Sequence, residues 1–259
     1  MIVWSKFRPV GGEISKEWED LVMKFLLQKT SARMTGLIVV LAVFASSANA
    51  QKSRTQDAAR HSEAAAKVFT EIMNVSEQSI PKGLLDKAEA IAVFPGVVKA
   101  AFIIGGKGGQ GVISRRTRGG WSAPAFFKIG GGSFGAQIGA QKTDYILLIM
   151  NEDGIKGLLG DKFELGGEVS IAAGPYGREA AASTNLRLDA GILSYSRSKG
   201  AFIGAALKGA VISPDNDLNT AVYGQKASEI LTARTPMKMN DMPASVRIFP
   251  RTLARYSVR

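Results

Sequence analysis

The sequence predicts one α+β domain built on a glycine-rich, strongly curved and mostly antiparallel β-sheet. Helices before and after the sheet are expected to pack on it in a barrel-like arrangement. Of the 29 glycines in the 259 residues, 24 fall between Gly96 and Gly209. Short apolar runs in the same stretch alternate with a period of two, which is typical of half-buried strands. Glycine destabilises strands, so its abundance indicates close backbone approach, sharp bending or a groove that admits a ligand.

Seven apolar runs in this stretch are predicted to be strands. They cover residues 98–105, 112–115, 133–141, 145–150, 163–173, 185–197 and 201–207. The run at 145–150 is apolar at every position apart from the hydroxyl group of Tyr145, and this pattern predicts a central strand covered on both faces.

Helices are predicted on both sides of the sheet. Residues 51–79 form an N-terminal segment whose helix, at about 55–77, carries an apolar stripe that we expect to pack on the core. A second short helix follows Pro81, because proline is favoured at the first helical position. Another short helix is predicted at 153–159. After Pro214 a longer helix is predicted, with Leu218, Val222, Ala227, Ile230 and Leu231 as its apolar face.

The last segment, residues 236–259, is predicted to be an irregular basic tail. Arginines recur at every fourth position, which would align them on one side of a helix, but Pro250 interrupts that pattern. The positions are Arg247, Arg251, Arg255 and Arg259. Such a tail is either solvated or in contact with an anionic surface.

Residues 1–50 are predicted to be an upstream extension followed by a secretory signal peptide. Basic residues after Met23 precede an apolar run at 36–44, and Ala48 and Ala50 then stand at the two small-residue positions of a cleavage site before Gln51. The apolar run is shorter than the roughly 20 residues that span a bilayer. Because a signal peptide does not normally follow a polar N-terminal segment, residues 1–22 are expected to precede the true start of the protein, at Met23. We therefore expect an exported chain, periplasmic or extracellular and peripheral to the membrane.

The composition limits the possible chemistry. The chain has 33 basic and 22 acidic residues, a formal charge of +11, which favours anionic partners. It has no cysteine and one histidine, so disulfides, a thiolate nucleophile and a cysteine-based metal site are excluded. No metal site and no cofactor are predicted.

Several motifs resemble those of enzymes, and each lacks a requirement of the chemistry. Residues 131–135 match a nucleophile elbow around Ser133, but no histidine follows and a strand pattern continues. The glycine patterns at 106–111 and 130–135 precede strands, whereas dinucleotide binding needs a helix N-terminus. The Ser-x-x-Lys at 196–199 ends a strand, and 215–219 lacks the glycine and glutamate of a calcium loop. No catalytic residue is predicted, and a hydrolase at Ser133 is the third hypothesis.

The candidate binding residues form a basic cluster near predicted turns. They are Lys99, Lys107, Arg115, Arg116, Arg118 and Lys128, together with Trp121. No acidic residue occurs between Glu89 and Asp144. Arginine forks beside an indole suit phosphate headgroups and the apolar layer below them, although a solvated turn has the same composition. Nucleic acid would also suit the charge, but an exported protein rarely meets it.

Seven segments, in order, resemble the SYLF lipid-binding domain family. They read IPKGLLDKA at 80–88, IAVFP at 91–95, KAAFIIGGKG at 99–108, GWSAP at 120–124, GGGSFGAQIG at 130–139, AGPYGR at 173–178 and SYSRSKG at 194–200. The resemblance runs from about residue 80 to residue 223 and places the domain at 80–235.

The resemblance implies a phospholipid-binding module and not an enzyme. Eukaryotic members of the family bind phosphoinositides through this domain and a preceding amphipathic helix, and some also bind actin. With its predicted export signal, this chain is similar to a bacterial member, for which an anionic phospholipid of the envelope is the expected partner. The alternative is a structural or adaptor protein of the envelope that binds a protein or a polyanionic polymer.

Overall fold

The computed structural model describes residues 53–75, 79–101, 104–134, 139–167, 169–175, 190–198, 201–204 and 207–257. Residues Ser53–Arg259 form one compact unit. The predictions for residues 1–50, and the parts of predicted strands at 102–103, 135–138, 185–189 and 205–206, lie outside the described residues.

The described residues form six α-helices and ten strands. The helices are α1 (53–73), α2 (Lys82–Lys87), α3 (Glu152–Leu159), α4 (Asn216–Tyr223), α5 (Ala227–Thr232) and α6 (Ile248–Tyr256), with a 3-10 turn at Ala244–Val246. The strands are β1 (Ala90–Ala101), β2 (Ile104–Thr117), β3 (Gly120–Trp121), β4 (Ala125–Phe134), β5 (Gly139–Ile149), β6 (Phe163–Glu164), β7 (Ile171–Ala173), β8 (Ile192–Ser198), β9 (Ala201–Gly204) and β10 (Val211–Pro214). No described helix has the length and apolar content needed to cross a bilayer.

The strands form one strongly curled, half-barrel sheet. Their order is β6-β10-β4-β2-β1-β5-β8-β7, with β3 added to β2 and β9 added to β8. Among the described strand pairs, β7 and β8 are parallel and the others are antiparallel. The predicted α+β class with a curved, mostly antiparallel sheet is therefore confirmed.

The centre of the sheet is buried on both faces. Strand β5 pairs with β1 on one side and β8 on the other, and its residues Ile146 to Ile149 are at most 1% exposed. This arrangement confirms the prediction of a central strand at 145–150. Helix α1 buries Ala65, Val68 and Ile72 of its predicted apolar stripe against the core, together with Phe69. The last residue of that stripe, Val75, lies beyond the helix and is 47% exposed, so the prediction is confirmed except at this position.

The glycines of β2 that lie deep in the sheet allow close backbone approach. Strand β1 has an irregular register between Val93 and Val98, where Gly96 has a φ of 56°. The ring of Phe94 folds over Gly111 at this point, and a β-carbon added to Gly111 would lie 2.3 Å from the carbonyl oxygen of Val93. A side chain at position 111 is thus excluded by backbone as well as by an aromatic ring.

Several predicted strands have different bounds in the structure. Residues of the predicted strand at 98–105 lie in both β1 and β2, and those of the strand at 133–141 lie in both β4 and β5. Strand β1 begins at Ala90 and continues past Pro95, which sits at the irregular part of the strand where a ladder hydrogen bond is absent. The predicted strand at 163–173 is instead two short strands, β6 and β7, separated by a turn in which Gly166 has a φ of 81°. An alternating apolar pattern does not distinguish a continuous strand from two strands joined by such a turn.

The segment after the sheet is more ordered than its sequence predicts. The predicted helix after Pro214 is divided into α4 and α5 by Gly224, which ends α4 in the left-handed conformation. The prediction of an irregular tail at 236–259 is wrong, because α6 forms there and buries Phe249 and Leu253 completely. Pro250 is the third residue of α6, within the first turn, where its missing N–H breaks no intrahelical hydrogen bond.

Candidate functional site

The candidate site lies at the hairpin that joins β2 to β3. Arg116 and Trp121 are direct partners in this hairpin, so their side chains share one face. The Arg116 guanidinium carbon lies 4.3 Å from the centroid of the Trp121 ring, within the range of a cation–π contact. Trp121 is 5% exposed, and its ring therefore belongs to the floor of the site and not to its rim.

Arg116 also fixes the surrounding backbone. Its Nε donates to the carbonyl of Ala88 at 3.0 Å, and its Nη2 donates to the carbonyl of Leu85 at 2.7 Å. These carbonyls end α2, where helices leave acceptors without intrahelical donors. The Nη2 group is also 3.2 Å from the Ser257 hydroxyl oxygen just beyond α6. Arg116 therefore holds α2 and the end of α6 against the hairpin.

Arg115, on the other face of β2, joins two further helices. Its Nη2 lies 2.6 Å from Oε1 of Glu152, the first residue of α3, and its Nη1 donates to the carbonyl of Leu231 in α5 at 3.4 Å. The Arg115 side chain is 21% exposed and that of Glu152 is 61% exposed. A ligand that approaches Arg115 must therefore compete with a flexible carboxylate.

A cleft of about 1100 Å³ opens beside these arginines. Its wall combines the β2–β3 hairpin with the segment after α5 and the end of α6, and it includes Arg115, Arg116, Arg118, Trp121 and Arg234. Hydroxyl groups and small apolar side chains complete the lining. We call this feature the arginine cleft.

The arginine cleft is strongly positive. Four arginines line it, and Glu89 is the only acidic residue among the lining residues that the structure describes. Arg118 and Arg234 are exposed, and neither has an ion-pair partner within the described part of the chain. These two side chains can reach an incoming anion without first breaking an internal contact, because their forks present several donors to phosphate or carboxylate.

The lysines of the predicted cluster lie elsewhere. Lys99 of β1 and Lys107 of β2 are cross-strand partners at the opposite end of the sheet. Lys107 and Arg115 are eight residues apart on β2, which corresponds to about 26 Å along an extended strand. Burial lowers the pKa of Lys107, and the charge of Lys99 lowers it further.

Lys128 occupies a third position. Its Nζ lies 3.0 Å from Oδ2 of Asp215, the buried residue that caps α4. The structure thus brings Arg115, Arg116, Arg118 and Trp121 together and places Lys99, Lys107 and Lys128 outside their cleft. Whether those lysines contact a ligand remains a prediction.

Arg234 is a cleft residue that the sequence did not indicate. It follows α5, more than one hundred residues beyond the hairpin, and no local motif marks it. The acid-free run from Glu89 to Asp144 did indicate Arg115, Arg116 and Arg118, since they are neighbours in sequence.

The enzyme-like motifs take other structures. Residues 106–111 lie within β2, and Ser133 lies within β4, so neither stands at a strand-to-helix turn. Asp215 is a helix cap, because its Oδ1 accepts the N–H of Leu218. In the described residues, no group of three or more acidic or histidine side chains is placed to hold a metal ion.

The curled sheet and its helices thus form an α+β domain with a basic cleft. Residues 130–256 match the family model described as "Ysc84: Las17-binding protein actin regulator". The resemblance to the SYLF (Ysc84) family found in the sequence is therefore confirmed over residues 130–256. The match extends to residue 256, so α6 belongs to the family domain.

Named relatives agree with this assignment. The chain is 36% identical over 165 residues to "LAS seventeen-binding protein 3" of Saccharomyces cerevisiae, covering 61% of this chain and 36% of that protein. It is 33% identical over 174 residues to "SH3 domain-containing YSC84-like protein 1" of Homo sapiens, covering 65% and 51%. The Xenopus laevis protein of that name is 33% identical over 177 residues, covering 64% and 52%. The chain spans about a third to a half of the length of these relatives.

Proposed function

We propose that the protein binds anionic phospholipid at a membrane surface of the bacterial envelope, without catalysing a reaction, and that the arginine cleft receives the headgroup. The observation that carries this proposal is the pair of exposed arginines, Arg118 and Arg234, at the mouth of a cleft whose floor is already fixed by Arg116 and Trp121. Export to the periplasm or the cell exterior is part of the proposal and follows from the signal-like sequence at 23–50.

The arrangement suits a phosphate group for two reasons. Arg118 and Arg234 supply donors that can bind phosphate oxygens bidentately. The Arg116 and Trp121 pair supplies a rigid floor, so little conformational freedom is lost there when a ligand binds. Small apolar residues beside the arginines, including Pro236 and Ala254, can contact the less polar part of a lipid.

Vesicle flotation of the full chain tests the proposal. The chain is mixed with phosphatidylcholine vesicles, with or without phosphatidylglycerol, over a series of salt concentrations. Binding is expected to rise with the anionic lipid and to fall as salt screens the attraction. Equal binding to both vesicle types, or binding that ignores salt, would contradict the proposal.

A second candidate function is that of an envelope adaptor that binds a protein or a polyanionic polymer. The relatives favour it, since one of them is named as a Las17-binding protein and the family model is described as an actin regulator. A pull-down with the full chain distinguishes the two functions. A protein partner that stays bound to the double variant Arg118→Gln/Arg234→Gln, in the absence of any vesicle binding by the wild type, would favour the adaptor function.

A further inference from the structure

The outer face of α6 is a second basic surface, beside the arginine cleft. Phe249 and Leu253 point into the core and are fully buried. Ile248, Arg251 and Arg255, spaced by three and four residues, therefore share the opposite face of the helix. All three are exposed, and Ile248 is one of the few large apolar side chains at the surface of the described residues, at 42% exposure. We call this surface the α6 face.

The charges of the α6 face are not neutralised within the protein. Arg247, one helical turn before Arg251, is held by the backbone. Its Nε donates to the carbonyl of Met242 and its Nη2 to that of Asn240, both at 2.7 Å. Arg251 and Arg255 make no ion pair or side-chain hydrogen bond with the described residues. Helix α6 contains no acidic residue. Two fixed positive charges thus face outward beside an exposed isoleucine.

The α6 face is continuous with the arginine cleft. Ala254 and Ser257 line the cleft, and Ala254 lies between Arg251 and Arg255 on the helix. Ser257 also holds the Nη2 group of Arg116. Arg255 is seven positions after Ile248, so the face extends the basic surface by about 10 Å along the helix axis.

From this placement we infer that the α6 face lies flat on the same anionic bilayer whose headgroup the cleft receives, with Arg251 and Arg255 above the phosphates and Ile248 against the apolar boundary. The inference rests on the proposed function and adds the orientation of the domain on the membrane. A single small anion could bridge Arg251 and Arg255, which are neighbours on the helix, but it would gain nothing from Ile248. An extended anionic surface with an apolar layer beneath it can contact the arginines and Ile248 together.

The size of the expected effect follows from the charge. A lysine or arginine close to an anionic bilayer contributes about 1 kcal/mol, which corresponds to roughly fivefold in binding. Loss of both Arg251 and Arg255 is therefore expected to weaken vesicle binding by about 25-fold. Loss of Ile248 is expected to have a smaller effect that does not depend on salt, because its contact is apolar.

The experiment compares two variants of the full chain that lose the same charge. One is Arg251→Gln/Arg255→Gln on the α6 face. The matched control is Lys142→Gln/Lys208→Gln, two exposed lysines in the half of the sheet away from the cleft. Each is titrated with phosphatidylcholine vesicles containing phosphatidylglycerol, and far-ultraviolet circular dichroism checks that both remain folded. The apolar run at 36–44 is present in both, so its contribution cancels.

We expect the α6 variant to bind about 25-fold more weakly than wild type and the control to stay within about threefold, because distant charges are screened. Equal binding by the two variants would overturn the inference. So would an α6 variant that loses binding to soluble polyglutamate while its vesicle binding is unchanged, since the face would then serve an acidic protein. If the wild type binds vesicles with and without phosphatidylglycerol equally, the proposed function fails. If the wild type prefers phosphatidylglycerol but the α6 variant binds as tightly as the lysine control, the orientation alone fails.

Discussion

The two ends of β2 carry similar charge but differ in what surrounds that charge. At one end, Arg115 and Arg116 hold four elements together through carbonyl and carboxylate contacts, and the arginine cleft opens beside them. At the other end, Lys99 and Lys107 face each other across two strands, and the pKa of Lys107 is lowered. We call these the arginine end and the lysine end.

The difference shows that a basic stretch of sequence does not define a basic site. The arginine end combines charges that are anchored with others, Arg118 and Arg234, that are available to a ligand. At the lysine end the strands carry exposed glycines, Gly106 and Gly108, above which a side chain would meet open space. The fixed contacts of Arg115 and Arg116 thus lie at the end where we place the ligand.

The largest expected effect compares the packed middle of β2 with its lysine end. Gly111→Ala, midway between Lys107 and Arg115, puts a β-carbon 2.3 Å from the carbonyl oxygen of Val93 and 2.5 Å from the ring of Phe94. We expect it to lower the free energy of unfolding by about 3 kcal/mol, the upper range for overpacking. Urea denaturation measures the change.

The matched control is Gly108→Ala on the same strand. No atom lies within 4 Å of the added β-carbon, so we expect a change of about 0.5 kcal/mol toward greater stability, because the unfolded chain loses freedom. Similar losses for the two variants would show that the middle of β2 is not packed more tightly than its lysine end.

The next effect concerns the anchored charge. Arg116→Met keeps much of the side-chain volume but removes the donors to the carbonyls of Leu85 and Ala88 and the contact with Trp121. We expect a loss of about 2 kcal/mol in unfolding free energy, since the carbonyl of Ala88 loses the Arg116 donor and that of Leu85 keeps only the N–H of Ala88 at 3.3 Å. Arg118→Met, an exposed neighbour, is the control and should change stability by less than about 0.5 kcal/mol. An equal, small change in both would mean that Arg116 is not a structural anchor.

The smallest effect lies at the lysine end and depends on pH. Because the pKa of Lys107 is lowered in the folded state from its ordinary value of 10.5, the unfolded state binds more protons in the alkaline range just below that value. Stability therefore rises with pH across that range. Lys99→Gln is expected to raise the pKa of Lys107 and reduce this rise. An NMR titration of the Lys107 side chain checks it, and an unchanged pKa would show that Lys99 does not act on Lys107.

Part of this organisation could be predicted from the sequence. The curved antiparallel sheet, the buried strand at 145–150 and the core-packed α1 follow from glycine content and apolar periodicity, which are local signals. The bounds of β1 and the division of 163–173 could not be predicted. In sequence, a proline at an irregular strand position looks the same as one that ends a strand, and a glycine in a turn looks the same as one inside a strand. Helix α6 was missed for a similar reason, since Pro250 is disruptive inside a helix but harmless in its first turn.

The site was predictable only where its residues are neighbours in sequence. The hairpin supplies Arg115, Arg116, Arg118 and Trp121 within seven positions, so their charge and aromatic pattern could be recognised. Arg234 reaches the cleft from the segment after α5, and the contacts of Arg116 with α2 and Ser257 depend on tertiary packing. No pattern in the chain separates an anchored arginine from one that is open to a ligand.

The central claim, that the arginine end binds anionic phospholipid, is tested most directly by comparing two double variants in the vesicle experiment. Arg118→Gln/Arg234→Gln and Lys99→Gln/Lys107→Gln remove the same charge from opposite ends of the sheet. The proposal predicts that the arginine variant loses about 25-fold in binding to vesicles with phosphatidylglycerol, while the lysine variant stays within about threefold of wild type. Equal losses, or a larger loss in the lysine variant, would contradict it.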